Sequence, residues 1–220
     1  MVSWAPPAYG RPPGPAPGLR YGSVFARVVA WFADGLALAS VGIAIEWMLG
    51  LFASQDLLPV LLSSVLGVGF SILYFVGFWT GPWRATPAMR LLGLQVANSA
   101  DGLTLTVRQG LIRWAVLEGV SAVIGLLAAL VADGATTSVG LLVDLWVLVL
   151  FVSTVTGQAK QGLHDRAADS IVSQPEGASS GAACALLVAI VVACVVLGLV
   201  LVAILGPQIQ QILSDVGSSI

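Results

Sequence analysis

Seven ionisable side chains are placed where they could do chemistry: Arg27, Asp34, Glu118 and Asp165 first, with Arg113, Asp144 and His164 as a second group. The apolar run from residue 25 to residue 52 is broken only by Arg27, Asp34 and Glu46. A run of that length reads as a membrane span, and each charge near its centre costs about 2.5–3.5 kcal/mol. Arg27 and Asp34 are seven residues apart, so a helix puts them on one face with about 10 Å of rise between them. Two readings of such a pair stand side by side. It forms a polar or ionisable site inside the bundle, on a proton or ion path, or Arg27 snorkels to lipid phosphates while Asp34 bonds a neighbouring helix.

The same two readings apply to Glu118, since a carboxylate inside a bundle can bind and release a proton. Asp144 falls in the outer third of its span, where water reaches it, and reads as structural. His164-Asp165 has the look of a catalytic dyad, yet no serine or cysteine nucleophile accompanies it and His164 is the only histidine. A structural role fits Asp165 better: capping a turn, or meeting Arg27 or Arg113 at the membrane face. No catalytic residue, metal set or cofactor site is assigned, and an enzyme is not expected.

The elements that must position these groups follow from composition. Of 220 residues, 58% are hydrophobic and 9% charged, and mean hydropathy is +0.98. A soluble domain carries about 25% charged residues, so an ordinary water-soluble core is excluded. Long continuous apolar runs, rather than short alternating ones, make this an all-α integral membrane protein and not a barrel. About five transmembrane helices are expected, with a small β-hairpin on the cytoplasmic side between spans two and three.

Residues 1–20 are rich in proline and glycine and read as a cytoplasmic tail, solvated or proline-recognising. They lack the pattern of a secretory signal. Spans are expected over 24–51, 57–79, 111–132 and 139–155, within a membrane domain over 21–173. A linker over 174–181 leads to a fifth span over 182–206, and 207–220 reads as a short amphipathic tail lying on the membrane. The turn Asn98-Ser-Ala-Asp-Gly102 suggests the hairpin, with arms over 90–97 and 103–106. Thr106-Val-Arg-Gln109 fits a capping box. Ser121, Gly125 and Ala129 offer a smooth face for helix contact. Cys184 and Cys194, ten residues apart on one helix, are too far apart to bridge.

All nine Lys and Arg residues fall on one side of this arrangement. That side is expected to be cytoplasmic, leaving the N-terminus inside and the C-terminus outside. With antiparallel packing, Asp34 and Glu118 lie at similar depth, with Arg27 and Arg113 a little below, as a mixed charge cluster. Arginine outnumbers lysine eight to one, a usage associated with GC-rich bacteria.

Arg27 with Asp34 seven residues on, then Thr86-Pro-Ala-Met-Arg-Leu-Leu-Gly-Leu94, then Gln161-Gly-Leu-His-Asp165, resembles the RDD family of prokaryotic membrane proteins. The family is named for one arginine and two aspartates, which the resemblance carries to Arg27, Asp34 and Asp165. It covers about residues 22–173. The chain departs from the family pattern at Ala88-Met89, where Gly-Lys is common, and at Asp169-Ser170, where Gly-Thr is common. The resemblance implies a fold and suggests transport without fixing a substrate.

Two functions follow as expectations. One is transport, or ion or proton translocation, with Asp34 and Glu118 as polar sites and Arg27 as counter-charge; five spans are few for a pathway, so it needs an oligomer. The other is a non-catalytic scaffold or partner-binding subunit. The expected partners are the lipid bilayer and a second copy or another membrane protein, with no nucleic acid and no cofactor.

Overall fold

A computed structural model describes residues 14–49, 56–130, 136–157, 159–178 and 181–193. The chain divides into two compact units, Met1–Ala178 and Ser179–Ile220. Within the second, the described residues form one apolar helix, Gly181–Ala193. The rest of the expected fifth span, the tail over 207–220, Cys194 and residues 1–13 lie outside the described residues.

In the first unit, α1 (Val24–Met48) and α2 (Leu57–Thr80) are long because neither carries an interior proline after its first turn and both are almost wholly apolar. The third long stretch is composite. Helix α4 (Val107–Trp114) passes through a π-helical turn (Ala115–Gly119) into α5 (Val120–Leu130). Three stretches, Val24–Met48, Leu58–Thr80 and Val107–Leu127, are long and apolar enough to cross a membrane. At 1.5 Å per residue, 21 residues or more reach about 30 Å, the thickness of the hydrocarbon layer. Among the described residues, two further apolar helices, Gly140–Thr156 and Gly181–Ala193, are shorter. The first of these is part of α6 (Thr136–Thr156).

The start of α4 has the expected cap. Thr106 Oγ1 accepts from the Gln109 amide at 3.3 Å, and Gln109 Oε1 accepts from the Thr106 amide at 3.0 Å. Two helix-first donors are thereby satisfied.

The expected hairpin is only half present. Asn98 to Leu103 does form a tight turn, with the Asn98 amide donating to Leu103 O at 2.9 Å and Gly102 at φ +71. Residues 103–106, however, form no strand. Strand β2 (Gln95–Asn98) pairs instead with β3 (Ser170–Pro175), which also pairs with β1 (Leu19–Tyr21), giving the order β1-β3-β2 with both pairings antiparallel. The physical reason is burial. Ser170, Ile171, Val172, Ser173 and Gln174 are all buried, so β3 offers the inner position that the polar arm Leu103-Thr-Leu-Thr106 does not. Strand β3 thus runs into the expected linker, and β1 takes residues 19 and 20 from the expected tail.

The tightest packing lies at the sheet end, not among the spans. Ala85, Leu94, Val96, Ala97 and Val172 are fully buried, together with Trp79 at the end of α2. The short helix α3 (Pro87–Leu91) packs on α1, and α7 (Leu163–Ala167) packs on α4 and α6. By contrast α1, α2 and α6 expose large apolar side chains such as Ile43, Leu73 and Leu141 along their lengths. Such faces suit lipid rather than water.

Candidate functional site

Three sub-sites account for the ionisable residues, and each is built by a different set of elements. The first is centred on Asp165, on the first turn of α7, whose side chain is fully buried. Its Oδ2 accepts from Arg27 Nη1 at 2.9 Å and from the Gly162 amide at 3.2 Å. Its Oδ1 lies 2.9 Å from Arg113 Nη2. One carboxylate therefore joins α1, α4 and α7. Ser170, the first residue of β3, completes the ring: Arg113 Nη1 donates to Ser170 Oγ at 3.1 Å, and that hydroxyl donates to Asp165 O at 3.2 Å. Arg27 also donates to Lys160 O at 2.8 Å and to Val172 O at 3.2 Å. The Arg113 guanidinium stacks over the Trp79 ring, 4.7 Å from its centroid.

The charges explain how Asp165 and His164 on α7 behave. Burial pushes the Asp165 carboxyl up, but Arg113, His164, Arg27 and the Gly162 amide together outweigh it and bring the pKa down to about 2. His164 Nε2 lies 3.5 Å from Asp165 Oδ2. Burial lowers the His164 pKa first; Asp165 opposes this, while Arg113 and Arg27 add to it, leaving about 4. At neutral pH the ring is neutral, and its Nδ1 has no hydrogen-bond partner.

The second sub-site is centred on Asp34, which is 2% exposed. Its Oδ1 accepts from the Tyr74 hydroxyl at 2.7 Å and from the Ala88 amide at 3.2 Å, while its Oδ2 accepts from the Thr86 hydroxyl. Thr86 is also the N-cap of α3 and accepts from the Met89 amide at 3.3 Å. Pro87 at the first helical position needs no donor partner there. Asp34 therefore extends a helix cap and fastens the segment Thr86–Leu94 to α1 and α2. Arg27 and Asp34 share one helix but serve different partners, and no ion pair links Asp34 to either arginine among the described residues.

The third sub-site is a cavity of about 660 Å³ between α1, α2, the α4–α5 stretch, α6 and α7. Its lining includes Arg27, Asp34, Arg113, Glu118, Asp144 and His164, so six of the seven candidates reach it; Asp165 lies behind, among its partners. The remaining walls are mainly apolar and aromatic, with Trp31, Phe75, Trp79 and Phe151. Glu118 sits within the π turn and accepts from Trp31 Nε1 at 2.7 Å. The wider turn changes the carbonyl pattern of the helix, and Trp146 of α6 donates to Val116 O at 3.1 Å.

The partners that sequence alone did not single out are Tyr74, Ser170, Trp31 and Trp146. Their common feature is a hydroxyl or indole N–H, within an apolar stretch in all but Ser170, a group that needs an acceptor once buried. Thr86 was visible as part of a motif, but not as a donor to Asp34.

The α7 charges carry a pH dependence. Between pH 6.5 and 4 an unfolded chain protonates His164 while the folded protein does not, so stability falls as pH falls through that window. Asp165 adds a second loss between about pH 3.8 and 2, as its carboxylate is neutralised between the arginines. Thermal melting of detergent-solubilised protein should show the first loss, on the order of 3 kcal/mol. In His164→Gln the fall between pH 6.5 and 4 should flatten; an unchanged slope would remove His164 as its source.

Compared with known proteins, the chain matches the model of the RDD family over residues 21–169. No curated protein and no solved structure is found to match. The matched stretch includes Arg27, Asp34 and Asp165, the three residues about which the first two sub-sites are built, and stops one residue short of β3. It spans more than half of the 220 residues. The chain belongs to the RDD family, and with its long apolar helices it is a membrane protein.

Proposed function

We propose that this protein translocates a cation or a proton through a membrane, and that the cavity between α1 and α6 is where the ion is taken up. The observation that carries this reading is the convergence of Glu118 and Asp144 on one chamber with largely apolar walls. Asp34, the other carboxylate on the cavity wall, is less suited to exchange. Its oxygens already accept three hydrogen bonds that hold α3 in place. Glu118 has one such bond, on a π turn, a feature often found at functional sites in helices. The role of ion acceptor therefore passes from Asp34 to Glu118, and Arg27 acts as a structural cation rather than a counter-charge.

The protein in this reading has five spans, the fourth and fifth built on Gly140–Thr156 and Gly181–Ala193, with the sheet end in the cytoplasm. The clustering of all nine basic residues on one side supports that orientation. A reporter fused after Ile220 should be active outside; activity restricted to the cytoplasm would reverse it. The protein is not an enzyme, uses no cofactor and works as a homo-oligomer in a bacterial cell membrane, because five spans enclose little of a pathway.

A second reading, a non-catalytic scaffold or partner-binding subunit, draws on the Asp165 cluster, whose bonds all serve to join elements of the same chain. Flux separates the two. In proteoliposomes holding the full chain and an internal pH dye, an imposed gradient of a monovalent cation, whether sodium, potassium or an organic ammonium, should drive proton movement. Folded Glu118→Gln should lower that rate at least tenfold. Equal rates in wild type and Glu118→Gln, or none above empty vesicles, would leave the scaffold reading.

A further inference from the structure

The translocation reading leaves open which cation the cavity takes, and the geometry of its two remaining carboxylates narrows the choice. The hydrogen bond from Trp146 to Val116 O fixes the relative height of α6 and the π turn. The chain climbs away from the sheet end through the π turn and returns towards α7 along α6. Glu118 is two residues beyond Val116 and Asp144 two residues before Trp146, so both lie about 3 Å further from the sheet end. The two carboxylates therefore reach the cavity at matching depth.

Neither of them forms an ion pair among the described residues. The two arginines on the cavity wall are both engaged by Asp165 and cannot serve them. A part-buried carboxylate without a cation beside apolar walls, as at Glu118, is costly, and a bound cation removes that cost; the exposed Asp144 adds a second negative charge on the same cavity. A small hard ion is poorly served here, because it needs about six oxygen ligands and, beyond the carboxylates, the walls add only the hydroxyls of Thr86, Ser121 and Thr154, two of them already donating to Asp34 and Leu150 O. A large cation with an apolar body is well served. Trp31 and Phe151 offer ring faces, Leu117 and Leu148 offer alkyl surface, and about 660 Å³ falls within the range of sites for drug-sized ligands.

We propose that the cavity binds a lipophilic organic cation, its charge shared between Glu118 and Asp144 and its apolar body lying against Trp31 and Phe151. This rests on reading the cavity as the ion-uptake chamber, and it names the chemical class of the ion.

Tetraphenylphosphonium and tetraphenylborate provide the test, since they share size and shape and differ in the sign of charge. Equilibrium dialysis against the purified full chain, corrected for uptake by empty micelles, should show saturable binding of the phosphonium and none of the borate. Glu118→Gln with Asp144→Asn should weaken phosphonium binding at least tenfold. Asp144→Asn alone, at an exposed position, should fold as wild type and weaken it several-fold. Equal binding of the two ions, or phosphonium binding unchanged in folded Asp144→Asn and in the double variant, would overturn the proposal. Ion-driven flux dependent on Glu118, with no phosphonium binding, would overturn the organic cation alone. Phosphonium binding without any flux would uphold the site and overturn translocation.

Discussion

One buried carboxylate between two guanidiniums holds the first unit together. Asp165 has no solvent exposure, and it meets Arg27 from α1 and Arg113 from α4 at 2.9 Å each. Burying three charges is expensive, and their mutual attraction offsets that cost only when the remaining donors and acceptors are also used. Here most of them are. Gly162, Ser170, Lys160 O and Val172 O take up much of the remaining hydrogen-bonding capacity, while the Nε atoms of the two arginines and His164 Nδ1 stay without partners among the described residues. Arginine is suited to this role because each planar fork reaches several acceptors at once, which a lysine ammonium on a flexible stem would not match.

The Asp34 bracket repeats the strategy with neutral donors. A carboxylate on α1 holds Tyr74 of α2 and the first turn of α3, so the polar segment after α2 is fixed against the helix ends. Both devices sit where the chain leaves the apolar spans and must satisfy backbone groups in a tightly packed cap. The helices beyond have lipid-suited faces and few buried side chains, so little within them specifies one arrangement. Polar clasps at one end supply that specification, and the cavity above them is left with Glu118 and Asp144, neither of which meets a cation among the described residues.

Much of this was legible in the amino-acid sequence because it depends on short-range patterns. The apolar runs mark the long helices, Thr106 and Gln109 mark the cap of α4, and Asp101-Gly102 marks a turn. Arg27 and Asp34 stood out because charges inside apolar runs need a reason. That Asp165 would meet Arg27 or Arg113 was an expectation, and it meets both; the destination of Asp34 was not legible, since Thr86 lies 52 positions away. The hairpin failed for a related reason. Local alternation cannot tell whether β2 pairs with its neighbour in sequence or with a better buried strand, and β3 won by burial over five residues. The π turn has no composition signal at all, because the stretch Ala115–Gly119 reads as ordinary helix.

The claim on which the rest stands is that Asp165 holds two buried arginines by direct ion pairs, and its most direct measurement compares two thermal melts in detergent. Asp165→Asn keeps the shape of the side chain and strands both guanidiniums, so it should cost about 3–5 kcal/mol. Removing all three charges together, with Arg27→Met and Arg113→Met added, should recover a substantial part of that loss. A melting curve for Asp165→Asn that coincides with wild type would contradict the account. So would a triple variant as unstable as the sum of its single changes.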